Sequence, residues 1–124
     1  MNTLIFSGDL SADRYSSIVY LHEGTKTVDI DIGWPATGTP VGTLTIQESL
    51  HGVAAGDWNN YSKDGTTSLT IAVAGTANVA HIRNLSLPGP RYMRLHYVRS
   101  SGGTGANFYD GGTVGNQPIA ILTD

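Results

Sequence analysis

The chain has 124 residues, no cysteine, 40% apolar and 14% charged residues, and a formal net charge of −3. That suits one domain with one core, and the missing thiols exclude disulfide frameworks, thiol catalysis and cysteine-zinc sites. The charge is too mild for nucleic-acid binding, and no run approaches the ~20 apolar residues of a membrane helix.

The opening segment, Asn2-Thr3-Leu4-Ile5-Phe6, has no basic region and only three consecutive apolar residues, so no secretory signal is expected. Ser11 to Ser17 lacks a sustained 3.6-residue stripe, which allows at most one turn of helix. Val28, Ile30 and Ile32 then alternate with Asp29 and Asp31. Period two is the mark of a half-buried strand, one face to the core and one to water. Gly33 to Pro40 breaks both helix and ladder with two prolines and two glycines. Leu44 and Ile46 alternate with Thr43, Thr45 and Gln47. Ser49 to Trp58 is interrupted by Gly52 and Gly56, so again at most a helical turn fits there.

Lys63-Asp64-Gly65 predicts a turn before the alternating run Leu69, Ile71, Val73. Gly75 to Asn78 separates that run from the next, and Leu87-Pro88-Gly89-Pro90 is a loop. Met93, Leu95 and Tyr97 alternate with Arg94, His96 and Val98. Ser100 to Gly105 is a flexible, polar, glycine-rich stretch, and residues 110–118 form a glycine-rich arm before the last apolar run, Ile119 to Leu122. About eight strands at this spacing predict a single all-β domain over 1–124, an antiparallel sandwich or jelly roll with little or no helix.

Few residues suggest chemistry. The four histidines, His22, His51, His81 and His96, share no strand or helix spacing that pairs them as metal ligands. Asp29 and Asp31 share one strand face, the arrangement of a cation site or a glycosidase pair, and equally that of a solvated strand face. Asp57, Asp64 and Asp110 sit in glycine-rich loops, where turn formation is the plainer role. No nucleophile elbow or phosphate loop is present, so the expectation is a protein with no catalytic residues, no metal and no cofactor.

Charge is unevenly spread. Gly65 to Tyr109 holds Arg83, Arg91, Arg94 and Arg99 and no carboxylate, while the rest of the chain holds all 10 acids. Arg91, Arg94 and Arg99 with Tyr92 and His96 read as an interface for an acidic neighbour, because guanidinium pairs bidentately and stacks on rings. Pairing inside the chain, for example with Asp29 and Asp31, is the competing reading. Trp34, Trp58 and Tyr61 offer a sugar-stacking platform, or else plug the ends of the core.

Two segments resemble a known group: Trp34-Pro35-Ala36-Thr37-Gly38-Thr39-Pro40-Val41-Gly42-Thr43-Leu44-Thr45-Ile46-Gln47-Glu48-Ser49, and Arg91-Tyr92-Met93-Arg94-Leu95-His96-Tyr97 running on to Gly105. In order they are similar to small β-sandwich accessory proteins of tailed-bacteriophage virions, the capsid decoration or cement type, though the loop before Trp58 is longer here. His51-Gly52 stands where those proteins usually carry Asp-Gly, and the arm after Tyr109 is an addition. The resemblance implies a structural subunit of the virion, made in the host cytoplasm without cysteines. Its partners would be the major capsid protein or other virion subunits, with no nucleic acid or membrane. It also implies a homo-oligomer, a trimer first, in which Leu4, Ile5, Phe6, Ile119 and Ile121 either close their own sandwich or add to a neighbour's sheet. A carbohydrate-binding module or receptor-binding tip built on Trp34, Trp58 and Tyr61 is the alternative.

Overall fold

Strand β9 (Arg91–Ser101) shows how alternation becomes a layer: Met93, Leu95 and Tyr97 are buried, while Tyr92, Arg94 and His96 lie on the opposite side. The computed structural model describes residues 2–52, 54–62, 65–111 and 116–124. The remaining strands are β1 (Asn2–Thr3), β2 (Arg14–Tyr15), β3 (Val19–Leu21), β4 (Thr27–Trp34), β5 (Val41–Ser49), β6 (Asn59–Asn60), β7 (Thr70–Ala74), β8 (Asn78–Leu85) and β10 (Ile119–Thr123).

One sheet runs β1-β10-β4-β8. The other is built on β9 and β5, with β2 and β3 both pairing the outer side of β9 and β6 and β7 both pairing the outer side of β5. Every pairing is antiparallel. The two sheets enclose one core, an all-β sandwich as the alternation predicts. There are more strands than the expected eight because β1, β2 and β6 have two residues each, too few to show any period.

Neither suspected helical window is a helix beyond a turn. Ser11 to Ser17 contains β2, drawn into extension by its ladder with β9. Ser49 to Trp58 contains one 3₁₀ turn, Ala55–Asp57, closed where the Asp57 carboxylate accepts the Ala54 N–H at 2.9 Å. Lys63 and Asp64 of the expected turn, and 112–115 of the arm, lie outside the described residues.

Phe108 joins the layers. Its ring meets Trp34 of the first sheet edge-on at 6.1 Å, Tyr97 of the second at 5.4 Å, and Phe6 at 4.8 Å. The loops either side of it come into backbone contact: Gly103 N–H donates to the Gly38 carbonyl at 2.9 Å. A Cβ on Gly38 or Gly102 would collide with the backbone of Thr104 or Thr39, so glycine is what permits the approach. Asp9 ties the same region down, accepting from Ser11 N–H at 3.1 Å, from the Ser11 hydroxyl, and from Gly105 N–H at 2.8 Å.

The chain ends pair within their own sheet. β10 lies between β1 and β4, and Leu4 N–H donates to the Pro118 carbonyl at 2.7 Å. Leu4 and Phe6 are buried, Ile119 is half-buried, and Ile5 and Ile121 are exposed.

Candidate functional site

Strand parity sets the outer face of the six-stranded sheet, and register lines it up in rows. Tyr20 of β3 faces Tyr92, which faces Ser49; Arg94 faces Gln47, which faces Asn60; Tyr15 of β2 faces His96, which faces Thr45. The Tyr20 and Tyr92 rings are 5.1 Å apart, and Gly52 packs its backbone on Tyr92, where a Cβ would approach the ring to 2.7 Å. Tyr15 stacks flat on His96, centroids 4.2 Å apart and planes 9° from parallel.

Arg94 is the centre. Its guanidinium carbon lies 4.1 Å from the Tyr15 ring centre and 4.2 Å from that of Trp58. Nε donates to Gln47 Oε1 at 2.8 Å, and Gln47 Nε2 donates on to Asn60 Oδ1 at 3.1 Å. Burial lowers the Arg94 pKa from its ordinary value, yet a guanidinium stays charged at any working pH. Among the described residues no carboxylate pairs with it. Burial also lowers His96, partly opposed by Asp13 and reinforced by Arg94, which favours neutral imidazole against the Tyr15 ring. Around this centre Tyr20 is 51% exposed, Tyr15 50% and Ile18, two positions before Tyr20, 47%, while Leu50 lines the cleft beside Glu48 and Arg91.

The expected interface residues divide. Tyr92, Arg94 and His96 share the face. Arg91 does not: odd-numbered positions of β9 point inward, and it pairs with Glu48 at 2.8 Å beside a cleft of about 210 Å³. Arg99 lies near the hairpin end, its Nε donating to the Gly102 carbonyl and its N–H to Asp13.

The platform of Trp34, Trp58 and Tyr61 is not assembled. Trp34 is 1% exposed, continues the inward series Val28, Ile30, Ile32, and donates its indole N–H to the Thr76 carbonyl at 3.0 Å. Tyr61 is buried too, following the outward Asn60 by one position. Only Trp58 reaches the surface, and Arg94 lies over its ring.

Asp29 and Asp31 are committed to donors of their own sheet. Arg83 Nη1 donates to Asp31 Oδ1 at 2.7 Å, with His81 on the same oxygen, and Arg83 leads the causes that lower the Asp31 pKa. A bulge opposite Val28–Ile30 places Asn84 at positive φ (55°), and Asp29 accepts its N–H at 2.7 Å. Among the described residues no three metal-ligating side chains gather.

Tyr15, Ile18, Tyr20, Gln47 and Asn60 belong to the face and were not anticipated as site residues. Tyr20 had a usable signal, lying between the inward Val19 and Leu21; Tyr15 in a two-residue strand had none. No protein-family model, no curated protein and no solved structure matches the chain.

Proposed function

We propose that this protein is a non-enzymatic structural subunit of a virion, a capsid decoration protein that docks on the shell through the outer face of its six-stranded sheet. The supporting observation is the composition of that face: three tyrosines, Trp58 and Arg94, with exposed Ile18 two positions before Tyr20. Tyrosine, tryptophan and arginine carry most of the energy of protein interfaces, because they bury large area with little loss of rotamer freedom. The resemblance of the Trp34–Ser49 and Arg91–Gly105 segments to phage accessory proteins points the same way. Repetition over a shell multiplies a modest single contact, and neighbouring copies add to it as a homo-oligomer.

The test is co-expression with a candidate major capsid protein, scoring occupancy on purified shells. Tyr20→Ala with Tyr92→Ala is expected to empty the shells while the melting temperature stays within a few degrees of the native value. Full occupancy by that folded variant overturns the reading.

A second reading, a carbohydrate-binding module, draws on the Trp58 ring beside the Gln47 and Asn60 amides. A glycan array separates the two, since a shell-binding subunit gives no saturable response to sugars.

A further inference from the structure

We infer that Arg94 is a preorganised receptor for a single carboxylate, and that its ligand is an aspartate or glutamate of the shell subunit set among apolar residues. This rests on the docking reading above.

Three contacts fix the guanidinium: the Tyr15 ring, the Trp58 ring and the Gln47 carbonyl oxygen. Its two terminal nitrogens have no acceptor among the described residues. Three other arginines of the chain differ in this respect, and Arg99, whose side chain has no carboxylate partner among the described residues either, is held by the Gly102 carbonyl and not between rings. Arg14, Arg83 and Arg91 each lie against a carboxylate, of Asp9, Asp31 and Glu48 respectively. A held guanidinium with a free edge presents two parallel N–H groups at the spacing of two carboxylate oxygens. Ordering of the side chain has already occurred in the free protein, so less entropy is lost when a ligand arrives.

The surroundings select the source of the carboxylate. Exposed Ile18, two positions before Tyr20 in the chain, adds branched aliphatic surface to that of the paired Tyr20 and Tyr92 rings. Such surface complements leucine, valine or phenylalanine side chains and leaves sugar hydroxyls without partners. One face of the Trp58 ring, the natural sugar-stacking element, is covered by Arg94.

The ¹⁵N-labelled full chain is titrated with propionate and, separately, with propionamide at constant ionic strength. The Trp58 indole N–H reports the site. The Trp34 indole, bonded to Thr76 inside the core, is the internal reference. Expected is a saturable Trp58 shift with propionate alone, about tenfold weaker in Arg94→Lys, which keeps the charge but loses the fork, and absent in Arg94→Gln. Equal responses to both probes, or an undiminished response in Arg94→Gln, overturn the inference.

A short leucine-rich peptide carrying one glutamate is then compared with oligogalacturonate. Tighter binding of the peptide supports a protein ligand; tighter binding of the saccharide overturns it. Shell occupancy separates the two levels. Normal occupancy by folded Arg94→Gln removes the carboxylate contact and leaves the docking face standing. Propionate binding by a chain that never occupies shells removes the docking reading, and with it the shell subunit as source.

Discussion

Gln47 and Arg94 are register partners across the β5–β9 ladder, and the bond from Arg94 Nε to Gln47 Oε1 is 2.8 Å long. Gln47 passes the hydrogen bonding on to Asn60, so three adjacent strands are cross-linked above the sheet. An amide orients the guanidinium without neutralising it.

That arrangement predicts opposite outcomes for two substitutions. Gln47→Leu removes the acceptor and is expected to cost about 1 kcal/mol, the net value of one hydrogen bond. Gln47→Glu keeps the acceptor and supplies a carboxylate from within the chain. Stability is expected to hold or rise by up to about 1 kcal/mol, as for a surface ion pair. The Trp58 response to propionate should vanish in Gln47→Glu, because the site is already filled. Urea unfolding and the indole titration check both.

The two tryptophans should separate cleanly in denaturation. Trp34→Ala opens a cavity among Phe108 and its neighbours and is expected to cost about 3–5 kcal/mol. Trp58→Ala loses one cation–π contact at a partly exposed site, about 1 kcal/mol. Comparable losses at both sites, measured from urea midpoints, contradict the assignment of Trp34 to core and Trp58 to surface.

His96 and Asp9 give two separate pH windows, both on the acid side of neutrality. The folded His96 pKa is below its ordinary 6.5, so below that pH the unfolded chain binds more protons. Its stability contribution is therefore whole above 6.5 and declines as pH falls toward the folded value. Melting temperatures from pH 7.5 to 5 should fall less steeply in His96→Gln. The Asp9 carboxyl is held at about 2 against an ordinary 3.8, chiefly by the Ser11 hydroxyl and then by the Gly105 and Ser11 N–H groups. Its contribution is present above 3.8 and is lost as pH falls through about 2. Asp9→Asn should flatten the stability profile in that window, as read by acid titration of near-ultraviolet circular dichroism.

Two glycines with similar backbone angles distinguish strain from collision. Gly24 has φ of 99° and nothing within 4 Å of an added Cβ, so Gly24→Ala should cost about 1–2 kcal/mol from the left-handed conformation alone. Gly103 has φ of 94°, and its Cβ would strike the Leu10 backbone carbonyl. Gly103→Ala is expected to cost clearly more, above about 3 kcal/mol, since loop and turn must both move. Equal losses in thermal melts would show that the loop yields freely.

Parity made part of the face legible in advance. Tyr92, Arg94 and His96 lie opposite Met93, Leu95 and Tyr97 as the alternation demands, and the same rule already placed Arg91 on the other side. Trp34 likewise continued an inward series, so its burial was there to be read. Tyr15 and Asn60 were not legible, because a two-residue strand has no period.

The amino-acid order by itself determined the class of fold and the inward or outward sense of β4, β5, β7 and β9, because side chains alternate at every step of an extended chain. It did not determine which outward residues meet. Sliding a strand by two positions leaves every side chain on its original face and changes all of its neighbours, so alternation is blind to register. The meeting of Arg83 with Asp31, 52 positions apart, and of Arg94 with Gln47, 47 positions apart, was decided by the β4–β8 and β5–β9 ladders. One arginine thereby gained a carboxylate, and the other was left in the described structure with two rings and an amide.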